Sequence, residues 1–212
     1  MTAGRSVRRL VAEALGCALL TALVVGSGIA AQQLSPGQTG LQLAENAAAT
    51  AAGLYAIILI LGPVSGAHLN PVVTVVDAAF GGLSWREAAA YLPVQVAGCV
   101  GGAVLANLMF ARSAVSISTR HRASGAHLLA EVVGAYIGAA YWFTSSTSFA
   151  NPAISLGRMF SDTFAGIAPA SVPAFVAAQL AGGVLGYGLV RLLYPAALAE
   201  PERQAEALPP RS

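Results

Sequence analysis

Two Asn-Pro pairs, Asn70-Pro71 and Asn151-Pro152, carry the most specific chemistry in this sequence. Asn is a favoured helix N-cap because its side-chain oxygen accepts from the first free backbone N–H groups. Pro suits the next position, where its missing N–H costs nothing. Each pair therefore starts a helix, and each precedes a short apolar segment, Val72 to Phe80 and Ile154 to Phe160, too short to cross a bilayer. A half-helix that starts at membrane mid-depth points the positive end of its dipole there. Two such ends facing each other repel cations and protons, while the two Asn amides donate to a passing neutral oxygen. One Asn-Pro alone is usually a turn or an ordinary helix start. Two of them, each after a polar Gly, Ser or Thr-rich approach, outline a pore for uncharged solutes.

The remaining polar residues fit a supporting role better than a reactive one. Glu13 and Glu131 are carboxylates inside apolar runs. They are either a proton relay or acceptors for the backbone of the neighbouring re-entrant loops, and the second reading is favoured because unwound backbone inside a membrane needs partners. His68 has no second metal ligand at a suitable spacing and is expected to brace its loop. Cys17 and Cys99 lie in apolar runs, where a thiol is usually a buried hydrophobe; they would bind arsenic or mercury only if they faced the pore. No Ser, His or carboxylate arrangement has nucleophile or metal-site spacing, so neither an enzyme nor a metal or cofactor site is expected.

The elements that must position these residues follow from composition. The chain has 212 residues, 56% of them hydrophobic and 9% charged, against about 25% charged in a soluble domain. The apolar residues fall in runs of about twenty, long enough to cross a ~30 Å hydrocarbon core as helices. The basic residues are eleven Arg and no Lys, too sparse for a nucleic-acid stripe. Spans are expected at Leu10 to Ala31, Leu41 to Leu61, Ala88 to Phe110, Ala126 to Phe143 and Val172 to Leu193. A cleaved signal peptide is the alternative for the first, but its 22 residues exceed such an apolar region and it contains Glu13. Trp85, Trp142, Tyr91 and Tyr194 near span ends read as interfacial anchors. Gly98 and Gly102, Gly134 and Gly138, and Gly182 and Gly186 read as close helix crossings. One membrane domain over 1–194 and a disordered tail over 195–212 are expected.

The halves repeat, with repeat one over about 10–110 and repeat two over about 125–194. Glu13, Asn70-Pro71 and Gln95 are echoed by Glu131, Asn151-Pro152 and Gln179. Asn to Gln spans 25 residues in the first half and 28 in the second, but Glu to Asn spans 57 and only 20. The second repeat is therefore about one helix short.

Ser65-Gly-Ala-His-Leu-Asn-Pro-Val-Val-Thr74 and Asn151-Pro-Ala-Ile-Ser155, with Glu13, Glu131, Gln95 and Gln179, resemble the aquaporin and glycerol-facilitator family, the major intrinsic proteins. The resemblance covers Leu10 to Leu193 apart from the deficit. It implies an all-α homotetramer in the cell membrane, each protomer having its own pore with two half-helices meeting at Asn70, Pro71, Val72 and Asn151, Pro152, Ala153.

Three departures bear on function. Val72 stands where the family has Ala, placing a bulkier side chain where the motifs touch; this is expected to be tolerated. Ile154 stands where the family usually has a filter Arg, and Arg158, one turn further on, is not expected by position to replace it. The other filter positions, by offset, are Thr50, Ala139 and Ser148, which gives a wider and less polar filter suited to glycerol or undissociated metalloid acids. The composition looks like the arsenic-associated bacterial branch, for which neutral arsenous acid is the implied solute, with water and glycerol equally open.

The third departure is the deficit, which leaves about five full spans instead of six. If Ala126 to Phe143 crosses the membrane, both Asn-Pro hairpins enter from one side and cannot meet head-on. Charge does not settle this: Arg5, Arg8, Arg9 and Arg86 favour a cytoplasmic N-terminus, while the family topology puts Arg112, Arg120 and Arg122 outside. The leading expectation is a passive channel. The alternatives are a non-conducting truncated relative and, with few candidate coupling carboxylates beyond Glu13, Glu131 and Asp77, an ion-coupled transporter.

Overall fold

The computed structural model describes residues 3–122 and 149–193. The expected span 126–143 with Glu131 and Ala139, the filter position Ser148, and the tail 195–212 lie outside them. The regular structure of the described residues is all helical: α1 (Ala3–Leu34), α2 (Thr39–Ser65), α3 (Pro71–Ala79), α4 (Trp85–Met109), α5 (Pro152–Arg158) and α6 (Val172–Leu193). A 3-10 turn, Pro169–Ser171, leads into α6. Among the described residues, α1, α2, α4 and the segment of α6 are long and apolar enough to cross a membrane, with windows of mean hydropathy from 1.5 to 2.0. At 1.5 Å per residue, α3 and α5 reach roughly 14 and 11 Å, less than half of a ~30 Å core.

The scaffold is the pair α1 and α4, and glycine sets its closeness. A Cβ at Gly98 would land on the carbonyl oxygen of Ala14, and one at Gly102 would lie 2.9 and 3.0 Å from the carbonyl carbon and Cα of Ala18. This four-residue spacing of bare backbone lets the two helices touch. Cys17 and Cys99 are wholly buried in the resulting core with Val25, Ile29 and Ala103. The half-helix α5 lies on the same scaffold, because a Cβ at Gly157 would meet the carbonyl oxygen, carbonyl carbon and Cβ of Cys99 at 2.6, 2.8 and 2.9 Å.

The polar segment after α4 is pinned against the one after α5. Ser116 N donates to Phe160 O at 3.1 Å, Ser118 N to Met159 O at 2.8 Å, and Ala168 N to Arg120 O at 2.7 Å. Asn107, buried in the last turns of α4, donates from Nδ2 to Ala114 O and Phe160 O. Arg122 donates to the carbonyls of Gly166 and Phe164. These bonds satisfy backbone that would otherwise be open near the membrane.

Candidate functional site

The loop that enters α3 is strained, and a carboxylate holds it. Gly66 ends α2 in the left-handed region, and Ala67 and Leu69 follow with φ of 46° and 53°, a conformation that L side chains adopt at some cost. The wholly buried Glu13 of α1 faces this loop. Its Oε1 accepts from Ser65 Oγ at 2.7 Å and His68 N at 3.0 Å, and its Oε2 from Leu69 N at 2.8 Å and Gln95 Nε2 at 2.9 Å. Two of the four donors are backbone N–H groups of the strained stretch. Tyr91 of α4 adds a bond from its hydroxyl to Ser65 O.

The loop delivers Asn70, which has extended backbone angles and accepts from Val72 N at 2.9 Å. Asn151 caps α5 in the same way, accepting from Ala153 N at 3.0 Å and Ile154 N at 3.3 Å. Each amide then reaches across to the other half. Asn70 Nδ2 donates to Ala150 O at 2.9 Å, and Asn151 Nδ2 donates to Leu69 O at 2.6 Å. The two half-helices thus meet through their N-terminal caps, so the arrangement in which the two hairpins cannot meet is not the one adopted.

A second pair of residues repeats behind the caps. Thr74 Oγ1 donates to Asn70 O at 3.0 Å and accepts from Gln95 Nε2 at 2.9 Å. Ser155 Oγ donates to Asn151 O at 2.9 Å and accepts from Gln179 Nε2 at 3.1 Å, and Gln179 also donates to Phe149 O. The sequence alone assigns Thr74 and Ser155 no role, yet each follows its Asn by four residues, one helical turn. Their hydroxyls tie the first turn of each half-helix to a Gln on a full-length helix. His68 Nδ1 lies within hydrogen-bond distance of the Thr74 hydroxyl, at 3.2 Å. Nε2 of His68 faces Asp77 Oδ2 at 3.6 Å.

A cavity of about 290 Å³ lies against these caps, bordered by Thr50, His68, Asn70, Asn151, Ile154 and Arg158 among others. A wider vestibule of about 750 Å³ is bordered by Arg5, Arg8, Arg9 and Asp77, and His68 borders both spaces. Neither Cys17 nor Cys99 borders either one. Val72 turns toward the last helix: a Cβ at Gly183 of α6 would sit 2.5 Å from Val72 Cγ1. Gly183→Ala is therefore expected to cost roughly 1–2 kcal/mol by overpacking. In a Val72→Ala background the same change should be neutral or slightly stabilising, since Gly inside a helix is disfavoured. Thermal unfolding of the two single variants and the double variant in detergent tests the coupling; additive effects would refute it.

Membrane-crossing helices around two half-helices that meet cap to cap beside a lined cavity are the architecture of a multi-pass membrane channel. The chain belongs to the major intrinsic protein family, whose model matches residues 1–146; members of this family are channels and not enzymes. The aquaglyceroporin AqpS of Rhizobium meliloti (strain 1021) is 46% identical over 214 aligned positions that take in 89% of this chain and 91% of AqpS. The probable aquaporin NIP7-1 of Arabidopsis thaliana is 31% identical over 114 residues, 54% of this chain and 40% of the relative. The fold is shared with the X-ray structure of the aquaglyceroporin from Plasmodium falciparum, with a TM-score of 0.64 and 17% identity over 92% of this chain and 99% of that one. The AqpS alignment also bears on the deficit. Since 89% of 212 residues is about 189, about 25 of its 214 positions have no residue in this chain. That is the size of one membrane-spanning helix.

Proposed function

We propose that this protein is a passive channel for small uncharged solutes, glycerol-sized polyols and neutral metalloid acids such as arsenous acid among them, working as a homotetramer in the cell membrane. The observation that carries this reading is the reciprocal pair of Asn amides, each fixed by its own helix start and by the opposite loop, at the edge of a cavity that Thr50 and Ile154 also border. In this reading Asn70, Pro71, Asn151, Pro152 and Ala153 form the central constriction, Val72 packs against α6 at Gly183 instead of where the motifs touch, and Thr50 and Ile154 belong to a filter that admits solutes wider than water. The aligned half-helix ends disfavour cations, while the amides offer donors to a solute oxygen. Glu13 and His68 brace the loop, and ion coupling is disfavoured because both Glu13 oxygens already accept two hydrogen bonds each.

A second reading, a non-conducting relative, rests on the missing helix length. Reconstituted proteoliposomes separate the two. Glycerol and arsenous acid influx well above empty vesicles, insensitive to proton and sodium gradients, is the expected result. Flux no greater than that of empty vesicles for water, glycerol and arsenous acid alike would establish the non-conducting reading, and gradient-dependent flux would establish a transporter.

A further inference from the structure

We infer that Arg158 is a charge-selectivity determinant of this conduit, a fixed cation standing one helical turn beyond the position that Ile154 occupies. The inference rests on the channel reading above and specifies which residue guards one side of its constriction. Asn151, Ile154 and Arg158 fall at i, i+3 and i+7 of one short helix, so they share a face. All three border the same cavity, together with Thr50. Arg158 is wholly buried, and a buried cation next to a membrane pathway is costly enough to call for a purpose. The surroundings fix its position. Nε donates to Ala165 O, the guanidinium carbon lies 3.7 Å from the centre of the Phe149 ring, and Arg122 approaches the same ring at 5.3 Å. Phe149 is itself fully buried against Phe175.

The physical consequence is a division of labour along one helix face. Ile154 leaves the wall beside the Asn caps apolar and without a donor. One turn on, the guanidinium places a cationic group in a low-dielectric setting, where it raises the energy of a nearby cation more than it would in water. A neutral solute with acceptor oxygens pays no such penalty. The selectivity that a guanidinium supplies is thereby kept while the width at Ile154 is relaxed.

The test uses the full-length protein in proteoliposomes with three readouts: glycerol influx, proton leak and potassium leak. Arg158→Gln keeps a planar amide able to donate to Ala165 O but removes the charge; Arg158→Lys keeps the charge but loses the fork and the ring stacking. Gln is expected to raise proton or potassium leak by about tenfold or more while glycerol influx persists. Lys is expected to exclude cations like the parent even if it unfolds at a lower temperature. Cation exclusion unchanged in the Gln variant, or a leak in the Lys variant equal to that in Gln, overturns the inference. If the Gln protein does not assemble, the Lys variant decides alone: a tight vesicle supports the charge, a leaky one refutes it. Absence of glycerol influx in the parent protein would instead refute the channel reading and is recorded separately.

Discussion

Glu13→Ala is expected to abolish solute flux and to destabilise the protein by roughly 3–5 kcal/mol, the range for leaving buried charge-assisted partners unpaired. The carboxylate accepts from Ser65, His68, Leu69 and Gln95 at 2.7 to 3.0 Å, and the bonds other than that of His68 are fully buried. Alanine leaves the N–H groups of His68 and Leu69 without their acceptor, that of Leu69 at a fully buried place. Those N–H groups belong to the stretch that holds Ala67 and Leu69 at positive φ, so the loop relaxes and Asn70 loses its position. Glu13→Gln should be milder in stability, about 2–3 kcal/mol, because one oxygen remains while an NH2 is turned toward groups that are themselves donors. Thermal unfolding in detergent and glycerol influx in proteoliposomes measure both effects. A Glu13→Gln protein with parental stability and flux that loses only a pH-dependent component would instead identify Glu13 as a proton relay.

The same contacts show what the sequence made legible. Both half-helices start where the cap rule puts them, at Pro71 and Pro152, because a cap is a local device that needs only its own few residues. The span Val172 to Leu193 coincides with its helix, whereas the first three spans set by hydropathy are shorter than theirs. Leu10 opens the first apolar run, yet α1 begins at Ala3, since Arg5, Arg8 and Arg9 border an open vestibule and charge there does not end a helix. Whether the two half-helices meet was not legible from counting spans, because it depends on contacts between residues 82 apart, such as Asn151 with Leu69. The place of Arg158 on the cavity is hidden in the sequence for a simpler reason. Its offset from the motif was compared with that of the usual filter Arg, while the helical phase it shares with Asn151 and Ile154 places it on the same cavity. The hydroxyls of Thr74 and Ser155 carried a readable signal, the same four-residue offset in both halves. Their role became visible only when Gln95 and Gln179 were seen to donate to them.

Gly157→Val is expected to remove conduction and to cost more than about 3 kcal/mol, at or above the upper end for overpacking a core. The reason lies in how a seven-residue helix is held in place. So short a helix has little stability of its own, and α5 depends on its cap at Asn151 and on the face it lays against α4. At Gly157 that face is backbone against backbone: an added Cβ would meet the carbonyl group of Cys99 at 2.6 to 2.8 Å, and a helix backbone cannot yield as a flexible side chain would. Valine adds two further methyls at a stiff χ1, so the half-helix must lift away from α4 rather than rotate a side chain aside. Lifting it draws Asn151 off Leu69 O and carries Ile154 and Arg158 away from the cavity, so all the groups proposed to select solutes on this helix move together. The control is Gly101, on the same stretch of α4, where a Cβ meets nothing within 4 Å; Gly101→Ala should gain up to about 1 kcal/mol from helix propensity and leave flux unchanged. Unfolding temperature and glycerol influx of the two variants, measured side by side, read the difference, and parental flux through Gly157→Val would show that the depth of α5 does not set the pore.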